Sequence, residues 1–289
     1  MRAVLKKQRD IMSGSQLSKG VLKMKKYLIT VLVFLTMLVT FTVATHADTT
    51  VEFNKEYLDK GIIAIKYVSS EPLKCKVMIQ FKEQKYTYNL KSGKSFTNFP
   101  LQLGNGSYRI GVYQQVEGTK YTELANETVD LKLDDSTKVY LTSIQLINWS
   151  AKMNTVTLAQ ELTKNKTTDK EKIEVCYQYM IQQFQYDYAK LKNIEYDYVP
   201  TIDDVVKKKL GICYDYSAVF ASMLRSLNIK SKLVMGYTPN VKEYHAWNEI
   251  FIDGKWVTVD TTFDSQMFAA KVQFSFEKPS SDYKMSLEY

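Results

Sequence analysis

The stretch His245-Ala246-Trp247-Asn248-Glu249-Ile250-Phe251-Ile252-Asp253-Gly254-Lys255-Trp256-Val257-Thr258-Val259-Asp260-Thr261-Thr262 reads as two strands around a tight turn. Asp-Gly is a strong two-residue hairpin signal, because both central residues of the favoured turn need a positive φ. If that turn closes a hairpin, Ile252 faces Lys255, Trp247 faces Asp260 and His245 faces Thr262. Strand side chains alternate with period two, so His245 and Trp247 share a face. Asp260 is then the diagonal neighbour of His245. Diagonal Cβ atoms lie roughly 7–8 Å apart or less, within reach of a carboxylate-to-imidazole hydrogen bond. A slip of one residue would send Asp260 to the opposite face.

Such a carboxylate orients the ring and steadies its charged form, leaving the other ring nitrogen to act as a base. The base needs a nucleophile. Gly211-Ile212-Cys213 stands at a loop-to-helix junction, with Val219, Phe220, Met223, Leu224 and Leu227 following at helical spacing. A helix N-terminus favours a thiolate through its dipole and free N–H groups, and the thiolate is the attacking species. The same helix end offers a backbone N–H to a developing oxyanion. Taken singly, each residue has a plain structural reading: a small buried cysteine, a strand histidine, a turn aspartate. Their joint order and spacing carry the chemical reading.

The chain has 2 histidines, His46 and His245, and 3 cysteines, Cys75, Cys176 and Cys213. His46 falls in a leader, so His245 is the one imidazole expected in the mature protein. A zinc site is disfavoured for want of ligands at finger-type spacing, and no cofactor is expected. Cys75 and Cys176 read as small buried hydrophobes in different domains rather than a bridge.

Further organisation follows from periodicity. Residues 48–148 alternate in short runs (Val77, Ile79 and Phe81; Tyr86, Tyr88 and Leu90; Val129, Leu131 and Leu133) with a turn at Gly104-Asn105-Gly106. This predicts an all-β, immunoglobulin-like sandwich domain. In 151–289 the pattern predicts helices over 170–186 and 201–210 and from Cys213 onward. Strands are expected over 232–236, 245–252, 256–261 and 272–276. Blocks of helices followed by strands define an α+β class. Thr168-Asp169-Lys170-Glu171 is a capping box for the first of these helices. The end, Pro279 to Tyr289, carries no clear pattern.

The net charge of +8 in 289 residues is concentrated at the start. Arg2, Lys6, Lys7, Arg9, Lys19, Lys23, Lys25 and Lys26 face Asp10 alone within 1–47, so the remainder is nearly balanced and no nucleic-acid partner is indicated. Met24-Lys25-Lys26, an apolar run from Tyr27 to Val43 and Ala44-Thr45-His46-Ala47 have the form of a secretory signal, with cleavage expected after Ala47. The competing reading is a retained membrane anchor of minimal length. Either places the functional part outside the cell, secreted or at its surface.

Three segments resemble the transglutaminase-like superfamily of papain-related cysteine enzymes, in the family's order. They are Gly211 to Ile229, with Gly211-Ile212-Cys213-Tyr214-Asp215-Tyr216-Ser217 at its head; His245-Ala246-Trp247-Asn248-Glu249; and Gly254 to Thr262 around Asp260. The resemblance covers roughly 165–265 and departs at Thr261, where relatives often carry proline. It implies a papain-like α+β core and a Cys213, His245, Asp260 triad acting on amide bonds of proteins or peptides, cell-wall peptide among them, by hydrolysis or by transfer to an amine. Tyr186 is either a polar side chain completing an oxyanion hole or a core aromatic at a helix end. Trp247 and Trp256 either wall the acyl pocket or fill the core. A non-catalytic surface protein that binds through its β-domain is the alternative.

Overall fold

The computed structural model describes residues 49–71 and 73–289; the leader expected at 1–47 lies outside them. The N-terminal region is built of two antiparallel sheets. The first has the order β1-β2-β5, from β1 (Thr50–Asn54), β2 (Ile62–Val68) and β5 (Thr97–Pro100). The second has the order β4-β3-β6-β7, from β3 (Cys75–Phe81), β4 (Gln84–Leu90), β6 (Gly106–Glu117) and β7 (Lys120–Leu131). Strict alternation in β3, with Cys75, Val77, Ile79 and Phe81 buried, is the signature of a sheet with one covered face.

Beyond it lie helices α1 (Asn154–Thr163) and α2 (Asp169–Gln183), the two-residue strand β8 (Gln185–Tyr186), and α3 (Tyr188–Lys192). Next come α4 (Ile202–Lys208), β9 (Leu210–Gly211) and α5 (Cys213–Ser226). The C-terminal part holds β10 (Ser231–Thr238), β11 (Val241–Ile252), β12 (Lys255–Val259), α6 (Thr261–Ala269) and β13 (Lys284–Glu288). β10 to β13 form one antiparallel sheet of order β12-β11-β10-β13, while β8 and β9 pair in parallel. Helix α5 is buried along nearly its whole length, its polar side chains included, as a central helix must be. It packs on β10 and β11, and Asn248 of β11 donates to the Ser217 carbonyl of the helix at 2.9 Å.

Several expectations are corrected. Helix α2 ends at Gln183 rather than 186, because Gln185 and Tyr186 turn extended to pair with Leu210 and Gly211. β12 ends at Val259, since Asp260 caps α6 instead of prolonging the strand. Residues 272–276 form no strand; Phe274 and Phe276 pack against the core, and the segment meets β12 only at the bridge Thr258 to Lys278. The patternless C-terminus supplies β13, and α1 was not anticipated.

The described residues group as one compact unit, and a single apolar cluster runs from Ile62 and Phe99 through Tyr140 and Ile144 to Phe220 and Val259. The β region therefore meets the α+β region through packed contacts. Tyr86 and Tyr88 set their rings 5.5 and 5.9 Å from that of Tyr289, and Gln102 donates to the Glu288 carbonyl at 2.9 Å. Among the described residues no helix is long and apolar enough to cross a membrane.

Candidate active site

The hairpin closes in the register that its turn dictates. Ile252 pairs with Lys255 and Asn248 with Val259, and Asp253 and Gly254 both take positive φ, 50° and 80°. The ladder stops at Val259, one residue short of Asp260. The carboxylate still reaches across: Asp260 Oδ2 lies 2.8 Å from His245 Nε2, with both side chains almost wholly buried. Asp260 is also the N-cap of α6, its Oδ1 accepting the Phe263 N–H at 2.9 Å. One carboxylate thus ties the histidine to a helix start, and its second interaction fixes its rotamer.

With Nε2 engaged, Nδ1 is left free, and Cys213 lies near the imidazole. Burial works against a charged imidazole here. The hydrogen bond to Asp260 and the nearby Cys213, reinforced by their charges, outweigh it and raise the His245 pKa to about 10. Cys213 is the half-buried first residue of α5, whereas Cys75 and Cys176 are free, buried thiols pushed up to about 12 by desolvation. Cys213 is therefore the accessible member of the three, and it alone neighbours a base.

Tyr186 stands against this thiol. Pairing of β8 with β9 places it beside Gly211 and near Cys213. Burial, then the nearby Cys213, push its pKa well up, so the phenol keeps its proton. Tyr186 also lines a 470 Å³ cleft with His245, Tyr188, Thr262, Phe263 and Gln266. Trp247 forms a small apolar cluster with Val234 and Tyr283, its ring 6.4 Å from that of His245. Trp256, by contrast, packs on Tyr140 and Phe251 away from this cluster.

Tyr283 escaped sequence reasoning. Its hydroxyl donates to Asp260 Oδ2 at 3.0 Å, and its ring meets Trp247 edge-on at 5.1 Å. It precedes a strand whose sequence, Lys284-Met285-Ser286-Leu287-Glu288, lacks an apolar alternation strong enough to announce it.

A half-buried cysteine opening a central helix, with a histidine–aspartate pair on the adjoining hairpin, defines the class of papain-like α+β folds. Residues 156–261 match the model of the transglutaminase-like superfamily. The chain is also similar to the kyphoscoliosis peptidase of Homo sapiens, 23% identical over 155 residues. That alignment takes in 50% of this chain and 22% of the human protein; for the mouse protein the figures are 24% identity, 37% and 18%. The chain thus spans about a fifth of the curated relatives it matches. Among solved structures it is similar to a candidate cysteine protease of Cytophaga hutchinsonii, with a TM-score of 0.41 and 16% identity over 67% of this chain and 78% of that one. The periplasmic domain of TgpA from Pseudomonas aeruginosa bound to ethylmercury gives a TM-score of 0.36 and 15% identity, over 74% and 95% of the two chains.

Proposed function

We propose that the chain is a thiol enzyme that acts on amide bonds of proteins or peptides through a thioester. The observation that carries this reading is His245 held between the Cys213 thiol and the Asp260 carboxylate, 2.8 Å from the latter, in a buried setting. In the first half-reaction the Cys213 thiolate attacks the amide carbonyl carbon. The oxyanion that forms accepts from Tyr186 O–H and from the Cys213 backbone N–H. Collapse breaks the C–N bond, and the His245 imidazolium delivers its proton to the departing amine. In the second, His245 takes a proton from water as it attacks the thioester; the acid leaves and the thiol is restored. An amine in place of water would give a new amide. Hydrolysis is the preferred reading, since among the described residues no dedicated amine site is evident.

The leader pattern supports placement outside the cell, with a protein or cell-wall peptide as substrate. The alternation of the N-terminal strands supports an immunoglobulin-like sandwich for the β region. The test is alkylation with iodoacetamide across pH, with the modified residue mapped. Cys213 should react faster than a free thiol at neutral pH and slow down in His245→Ala. Equal rates in both proteins would refute the reading. Incubation with casein and a fluorescent amine then separates the two outcomes: new N-termini report hydrolysis, dye incorporation reports transfer.

A further inference from the structure

The loop that presents Cys213 rests on a buried charge outside the histidine–aspartate pair. Asp215, in the first turn of α5, is 0% exposed. Its carboxylate accepts the Ile212 backbone N–H at 2.8 Å, Lys190 Nζ at 2.7 Å and the Tyr198 hydroxyl. Gly211 lies so close that a Cβ there would stand 2.6 Å from that of Asp215. A carboxylate withdrawn this far from water is tolerated only with a partner cation and satisfied lone pairs. Lys190 is that cation.

Lys190 belongs to the strap that also carries Tyr186. Two ties hold this strap to the residues around Cys213: β8 pairs with β9, and the Asp187 N–H donates to the Gly211 carbonyl at 2.9 Å. Within the strap, Asp187 caps α3 by accepting the Lys190 N–H at 2.8 Å. The Lys190–Asp215 pair adds a further tie between the strap and the start of α5. Other ionisable groups face this region. Asp187, Asp204 and Lys208 line a 180 Å³ cavity with Lys190 and Tyr198, and Tyr214 neighbours Asp215 on α5. Tyr186 and His245 face Cys213 itself.

We propose that Lys190, Asp215 and Tyr198 are positioning residues for the nucleophile: they lock the Gly211-Ile212-Cys213 turn and cancel the negative charge held two residues from the thiol. This rests on the reading of Cys213 as nucleophile. Lys190→Met leaves the Asp215 carboxylate without its cation, and a like charge near the thiol disfavours the thiolate. The pH midpoint of iodoacetamide alkylation then rises by about one unit, and the neutral-pH rate falls about tenfold. Lys190→Arg keeps the charge and stays near the parent. The double variant Lys190→Met/Asp215→Asn removes both charges and regains reactivity over Lys190→Met alone, which a purely structural contact would not do.

The experiment is the alkylation profile of the full chain and these variants, with circular dichroism confirming the fold. If Lys190→Met does not fold, the comparison passes to Tyr198→Phe, which keeps the cation and removes one donor; a rise in its midpoint supports the role. A reactive parent whose profile is matched by Lys190→Met, or by Tyr198→Phe in its stead, overturns the positioning role alone. A double variant no better than Lys190→Met overturns the charge argument. A parent in which Cys213 reacts like a free thiol overturns the nucleophile reading, and the positioning role with it.

Discussion

Asp260 serves two ends, and one atom change separates them. Asparagine caps a helix about as well as aspartate, so Asp260→Asn keeps the bond to the Phe263 N–H. It loses the negative charge that steadies the imidazolium. Thermal unfolding of this variant should fall below the parent at neutral pH, where the parent's His245 is protonated, and approach it as pH rises through about 10, while turnover of an amide substrate falls by about 10²–10⁴. Asp260→Ala removes the cap as well and should also cost about 1 kcal/mol or more in urea unfolding.

His245 gives a pH dependence whose sign can be worked out. Its pKa is raised to about 10 in the folded chain, against roughly 6.5 for an unperturbed histidine. Stability from its protonated form is fully present below about 6.5 and is lost as pH climbs through about 10. The melting temperature of the parent should therefore drop toward that of His245→Gln between about pH 7 and 10. Proton delivery to the leaving amine should fail over the same alkaline window, visible in single-turnover acylation. A melting-temperature difference that stays constant across this range would contradict the assignment.

At the scale of elements, β13 decides whether Tyr283 reaches Asp260. It lies along β10, and their register shifts between Met235 and Gly236. A Cβ at Gly236 would stand 2.1 Å from the Lys284 carbonyl oxygen and 2.9 Å from the Trp247 ring. No side chain fits there without parting the strands. Gly236→Ala should destabilise the fold by about 1–3 kcal/mol, the usual cost of overpacking, and lower turnover by displacing Tyr283. Tyr283→Phe keeps the ring against Trp247 and removes only the hydroxyl. It should lower kcat severalfold with little change in urea midpoint. A Tyr283→Phe enzyme equal to the parent would reduce Tyr283 to a packing residue.

Across the whole molecule, Arg225 joins regions that the sequence pattern treats as separate. It is 2% exposed and donates to three backbone carbonyls, Ser231 at 2.9 Å, Thr142 at 2.7 Å and Tyr289 at 2.9 Å. Thr142 lies in the passage from the β region, and Tyr289 follows β13. Arg225→Met keeps much of the bulk but takes a donor from the Ser231 and Thr142 carbonyls, while the Tyr289 carbonyl keeps the Leu233 N–H. At roughly 1–3 kcal/mol for each unsatisfied group, the loss is a large share of an ordinary folding free energy. Urea unfolding should report it, along with a separation of transitions monitored at the β region and at the thiol.

The sequence by itself determined the hairpin, the helix opened by Cys213 and the capping box of α2. It also placed His245 near Asp260. These are local consequences: an Asp-Gly turn sets the register, a period of two sets the face, and a Thr-to-Glu spacing satisfies free N–H groups. Tertiary structure alone decided the rest. Tyr283, the Lys190–Asp215–Tyr198 cluster, Arg225 and the missing strand at 272–276 depend on partners distant in the chain. Buried polar groups must be satisfied wherever the chain brings them, and no local periodicity encodes which distant donor arrives. Thus Cys213, His245 and Asp260 could be named from spacing, while the residues that hold them in place could be found only after the chain had folded around them.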